Sequence, residues 1–204
     1  MSKWQLVLAI SLVNLAACQP VTEEQNYSGI SFEVSFSAAL TEENQDGRLL
    51  LMLSTLDDSE PRFQVDNSPD TQLIFGVNVD SWEPGSKTVV DASAIGFPLR
   101  DLSEVPPGTY YAQALLNRYK DFHLADGKVV SLPPDRGEGQ QRNRKPGNYY
   151  SEPVKVENGA QGAASLVLVM EQSIPDIEPP ADTEFIKPVR MRSELLSEFW
   201  GEDM

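Results

Sequence analysis

Ile30, Phe32, Val34 and Phe36 alternate with Ser31, Glu33, Ser35 and Ser37, so every second side chain is apolar. A period of two puts one set on each face of a strand and predicts a buried face and a wet face. Asn44-Gln45-Asp46-Gly47 supplies a turn, and the unbroken apolar run Leu49-Leu50-Leu51-Met52-Leu53 predicts a buried central strand, with a helix as the alternative. Phe63 and Val65 predict a short edge piece, and Leu73, Phe75, Val77 and Val79 a further alternating strand. Trp82-Glu83-Pro84-Gly85 is a turn, 87–91 the next strand, and 92–105 an irregular connection.

Pro106-Pro107-Gly108 continues neither a helix nor a ladder, because proline lacks an N–H and fixes φ, so a strand starts at Thr109. One of its faces carries Tyr110, Ala112, Ala114 and Leu116, the other Tyr111, Gln113, Leu115 and Asn117. Within the polar stretch 120–148, Ala125-Asp126-Gly127-Lys128 predicts a tight hairpin. Segments 150–157 and 164–170 complete roughly seven or eight short strands separated by Pro/Gly turns, a pattern that predicts an all-β fold: an immunoglobulin-like antiparallel β-sandwich over 27–173.

The C-terminal segment changes character. Ile174-Pro175-Asp176-Ile177-Glu178-Pro179-Pro180 opens a Pro-rich linker, 174–184, since prolines favour extended geometry and forbid regular pairing. Residues 185–204 then read as a docking tail or as the start of a missing domain, because Phe199 and Trp200 call for a surface to cover them.

The N-terminal pattern is an address. Lys3 precedes the apolar run 6–13, which is too short to span a bilayer, and small residues follow, so 1–17 reads as a cleaved signal peptide. Leu15-Ala16-Ala17-Cys18 resembles the bacterial lipobox, in which the cysteine thiol takes a diacylglyceryl group before cleavage on its N-terminal side. Cys18 is the expected lipidation site and 18–26 a polar tether. Each buried methylene contributes about 0.8 kcal/mol, so two or three acyl chains give a durable membrane anchor. Gln19, rather than an aspartate, follows the cysteine, and the outer membrane is the expected destination.

Charge narrows the partners. With 31 acidic against 16 basic side chains, the net charge of −15 repels phosphate backbones and excludes nucleic acid. The single cysteine excludes an internal disulfide and a cysteine-cluster metal site. His123 with Asp121 and Asp126 resembles an acid–base pair only on paper, since loop neighbours seldom have that geometry and no nucleophile accompanies them. Asp121, Asp126 and Asp135 lack the spacing of a calcium loop, and no metal or cofactor is expected. Arg136, Arg142, Arg144 and Lys145 form a local basic cluster that either docks an acidic partner or lipid headgroups or pairs with Glu138 and Glu152. Tyr110, Tyr111, Tyr149 and Tyr150 offer aromatic faces, but adjacent strand residues point oppositely, so half belong to the core.

Several motifs in order carry a family resemblance. Ala114-Leu115-Leu116-Asn117-Arg118-Tyr119, Phe122-His123-Leu124-Ala125-Asp126-Gly127, Gly137-Glu138-Gly139-Gln140-Gln141-Arg142-Asn143, Pro146-Gly147-Asn148-Tyr149-Tyr150-Ser151-Glu152-Pro153 and Leu195-Leu196-Ser197-Glu198-Phe199-Trp200-Gly201 resemble the N-terminal region of bacterial esterases of the enterochelin-esterase type. In that group a β-sandwich precedes an α/β-hydrolase domain, and the resemblance covers about Phe32 onward. The family's serine, acid and histidine lie beyond its counterpart of Met204, and this chain has no Gly-x-Ser-x-Gly elbow, so no catalytic residue carries over.

The leading expectation is a membrane-anchored, non-catalytic lipoprotein similar to the accessory domain of a secreted esterase, partnered by an esterase catalytic domain or a cell-envelope ligand. One alternative is part of an esterase whose catalytic half is absent or encoded separately. Another is a glycan- or peptide-binding module.

Overall fold

The computed structural model describes residues 29–68, 70–135, 141–159, 165–178, 181–189, 191–201 and 203–204; the signal peptide, Cys18 and the tether lie outside them. The fold is all-β and sandwich-like. Its strands are β1 (Ser31–Phe36), β2 (Gln45–Ser54), β3 (Leu73–Trp82), β4 (Thr88–Val90), β5 (Ile95–Phe97), β6 (Gly108–Arg118), β7 (Lys120–His123), β8 (Val129–Leu132), β9 (Tyr149–Ser151), β10 (Val154–Asn158) and β11 (Ser165–Ser173); a short helix, α1, spans Glu194–Trp200.

Nine strands form one sheet in the order β4-β1-β11-β9-β6-β2-β3-β5, with β10 also on β6. All pairings are antiparallel except β1 with β11, which run parallel from Ser31 opposite Ser165 to Phe36 opposite Met170. The sheet therefore departs from the purely antiparallel pattern expected at this one pairing, where the two strands are joined by the whole intervening chain rather than by a hairpin. β7 and β8 form the predicted hairpin as a separate ladder.

The inner faces of the curled sheet meet in one cluster containing Phe32, Val34, Phe36, Leu49, Leu51, Leu53, Phe75, Ala112, Ala114, Leu116, Leu168 and Met170. β2 lies between β3 and β6, and its odd residues enter this cluster. Its even residues Leu50 and Met52 join Leu115 and Ile174 in a second cluster on the outer face. Burial on both faces explains why the run 49–53 is apolar without alternation. Fully burying one such side chain contributes about 1.5–3 kcal/mol.

β6 begins where Pro-Pro-Gly ends. Its buried Tyr110 donates its hydroxyl to the Pro106 carbonyl at 2.9 Å, the upstream tie used by the tyrosine corner of sandwich domains. Burial pushes the Tyr110 phenol up from its ordinary value.

Prolines redraw two expected elements, and two further segments carry order that was not expected. The edge piece around Phe63 is instead a 3-10 turn, Pro61–Phe63, because Pro61 has no N–H for a ladder and the Arg62 N–H goes to the Gln113 side chain at 3.0 Å. The expected strand 150–157 breaks at Glu152-Pro153 into β9 and β10, both of which pair with β6. The connection 92–105 carries β5 and a 3-10 turn, Leu102–Glu104, whose N-cap Asp101 accepts from the Ser103 N–H at 2.9 Å. Ile174, read as the first linker residue, is docked: its N–H donates to Asn148 O at 2.9 Å, and the Gly147 N–H donates to Ile174 O at 2.8 Å.

Candidate interaction surface

The β7–β8 hairpin stands off the main sheet, and all four residues of β7 are exposed. Asp126 Oδ1 accepts from the Lys128 N–H at 3.1 Å and its other oxygen pairs with Lys128 Nζ at 2.8 Å. These contacts close the Asp-Gly turn and hold the Asp126 carboxyl below the usual carboxylate range. His123 faces Val129 in the ladder, and Asp121 faces Ser131. Asp126 is thus engaged by Lys128, and no hydrogen bond or ion pair joins it to His123 among the described residues. Asp135 is exposed. Among the described residues no group of three His, Cys, Asp or Glu side chains converges as a metal site.

The C-terminal segment folds back on itself through α1. Ser193 caps the helix by accepting from the Leu196 N–H at 3.3 Å, Gly201 ends it at φ 73°, and the Ser193 N–H donates to Met204 O at 2.7 Å. A residue with positive φ at this position is best a glycine, which explains where the helix stops. Phe199 and Trp200 pack edge to face, with ring centroids 5.1 Å apart. They remain 77% and 59% exposed. With Phe122, His123 and Leu124 of the hairpin side they line a groove of about 670 Å³. Phe185, Ile186, Val189 and Met191 add further exposed apolar side chains upstream.

The basic cluster read from the sequence is dispersed. Arg136 lies outside the described residues, Arg144 is exposed, and Lys145 is buried with its Nζ donating to Arg118 O at 2.6 Å. Arg142 is half-buried, and its guanidinium makes no hydrogen bond or ion pair among the described residues. Burial pushes it below the ordinary arginine value. Of the two acids proposed as pairing partners, Glu152 instead accepts from Gln172 Nε2, and Glu138 lies outside the described residues.

The tyrosines divide as the pleat requires. Tyr110 and Tyr149 enter the core, whereas Tyr111 bonds Asp57 at 3.1 Å and Tyr150 lies under the Arg62 guanidinium, 3.9 Å from its ring centroid.

A polar strap escaped the sequence reading. Gln113, 0% exposed, donates to Glu60 Oε2 at 2.7 Å and to Ser151 O at 2.9 Å while accepting from Arg62. Arg62 also pairs with Glu60 at 2.8 Å and stacks on Phe63 and Tyr150. The signal was a lone amide in the middle of an apolar strand. Its role is to satisfy backbone groups where the 3-10 turn crosses β6.

No helix among the described residues is long and apolar enough to cross a membrane. Compared with known proteins, the chain matches no family model, no curated protein and no solved structure.

Proposed function

We propose that the chain is a lipid-anchored, non-catalytic interaction domain of the bacterial cell envelope, held at the outer membrane through Cys18 and working beside a hydrolase domain of esterase type. The observation that carries this reading is the exposed apolar surface of the C-terminal segment and hairpin: Phe199, Trp200, Phe122 and Leu124 border one groove. Contiguous apolar surface of this kind is costly to leave in water and fits a face that a second folded surface covers. The motif at 195–201, which in the resembled esterases leads into the hydrolase, coincides with that face. The lipobox-like Leu15-Ala16-Ala17-Cys18 supports the anchor.

A photo-crosslinking residue at position 199, introduced in cells of the source bacterium, tests the partner. The expected product is an adduct with a hydrolase-fold envelope protein; adducts with lipid alone, or none, refute it. Mass spectrometry of the mature N-terminus tests the anchor, the expected result being a diacylated or triacylated Cys18. Fluorophosphonate labelling of a serine in this chain would refute the non-catalytic reading.

A further inference from the structure

The outer face of the sheet contains a second depression, on the side of β5 and the 141–148 loop. Its floor follows from register. Leu50, Gly76 and Ile95 lie side by side across β2, β3 and β5. Gly76 has no side chain to fill its place in that row, and the resulting groove of about 340 Å³ falls within the usual range of small-ligand sites, ~300–1,000 Å³.

Gly76 also admits a cation. A Cβ there would stand 2.8 Å from Arg48 Nε, so any larger residue would displace the guanidinium from its present place flat on the strand. Arg48 is fixed in that pose by hydrogen bonds to Asn78 Oδ1 at 2.8 Å and Gly76 O at 3.0 Å, both neutral acceptors. Its charge is therefore oriented, and no ion pair cancels it among the described residues.

The opposite rim bears Arg142, half-buried and without a hydrogen-bonding or ionic partner among the described residues. Its position is set from behind. The side chain of Asn148, itself 0% exposed, donates to Arg142 O at 2.9 Å and accepts from the Arg118 N–H at 3.0 Å, tying the loop to the end of β6. Ile95 and Phe97, both exposed, supply an apolar wall, and Tyr119 and Asn117 add polar groups. Among the described residues that line it, none is acidic, in a chain with 31 acidic side chains.

A partly desolvated cation left without a counter-charge is unfavourable, and a bound anion removes that penalty. We infer that this groove binds a small organic monocarboxylate, its carboxylate on Arg142 and Arg48 and its apolar body against Ile95 and Phe97. The net charge of −15 selects a monoanion over a phosphate-type dianion, since long-range repulsion scales with ligand charge.

Titration calorimetry of the full chain with 4-phenylbutyrate, its neutral amide 4-phenylbutyramide and phenyl phosphate tests the assignment. The carboxylate should bind saturably, with the amide at least about tenfold weaker, because a charge-assisted hydrogen bond is lost. Arg142→Met should weaken carboxylate binding by about the same factor. Ile95→Glu places a negative charge on an edge position that is 70% exposed, outside the core, and should abolish binding with the melting temperature retained. No saturation, equal binding of acid and amide, unchanged binding in either variant, or tighter binding of phenyl phosphate than of the carboxylate would each overturn the proposal.

Discussion

Asn148→Ala isolates the tie between the 141–148 loop and the sheet. The wild-type side chain accepts from the Arg118 N–H at 3.0 Å and donates to Arg142 O at 2.9 Å and Asn117 Oδ1 at 3.2 Å, all at a position with 0% exposure. Alanine makes none of these bonds and leaves the Arg118 N–H and the Arg142 carbonyl without them. At ~1–3 kcal/mol for each stranded backbone group, the expected loss is about 3 kcal/mol. For a chain of this size that corresponds to a fall in melting temperature of about 6–12 °C. Urea unfolding should show a lower midpoint at unchanged slope, because the surface exposed on unfolding is nearly the same. A double-mutant cycle with Asn117→Ala should assign about 0.5–1.5 kcal/mol to the amide pair, the net worth of one neutral hydrogen bond. A loss below about 1 kcal/mol, within reach of an ordinary surface substitution, would refute the reasoning, since water would then replace the amide without penalty.

Three further outcomes follow from other sites. The Glu60 carboxyl is pushed up by burial but pulled further down by hydrogen bonds from Arg62 and Gln113 and by the Arg62 charge, so its folded pKa lies below the ordinary value. Its stabilisation is present above the unfolded-chain pKa and is lost as pH falls through the folded one. Melting of Glu60→Gln should therefore decline less steeply than wild type between about pH 5 and 3, and parallel curves would contradict the assignment. Gly96→Ala would put a Cβ 2.4 Å from the buried Phe75 ring and 2.6 Å from Leu99 O, so denaturant titration should show a loss of about 1–3 kcal/mol. Tyr110→Phe removes the bond to Pro106 O and should destabilise by about 1 kcal/mol, with an unchanged far-UV circular dichroism spectrum.

Strand positions were legible wherever burial is one-sided or complete, because alternation and continuous apolar runs are local records of which faces meet water. The stretch 30–37, the run 49–53, the strand after Pro-Pro-Gly and the Asp-Gly hairpin are observed as β1, β2, β6 and β7–β8. Local pattern failed where proline punctuates. Pro61 and Pro153 sit beside apolar residues that look like strands, yet each withholds a ladder donor and turns the chain.

The candidate surfaces were less legible. The run from Arg136 to Lys145 looked like one basic patch, but Lys145 is buried under the Arg118 carbonyl while Arg142 joins a groove whose floor lies on β3. The side chains and the missing side chain that shape this groove are set by register between strands distant in sequence: Arg48 and Gly76 come together only because β2 pairs with β3.

The amino-acid order alone determined the all-β class, the Asp-Gly and Pro-Pro-Gly turns and the burial of the run 49–53, since backbone geometry and water contact act residue by residue. The parallel closure of β1 on β11, the burial of Gln113 and Asn148, and the pairing of a glycine gap with two arginines were decided only by tertiary structure. They depend on which strands lie side by side and on where each polar group finds its partner, information that a linear hydrophobic pattern does not contain.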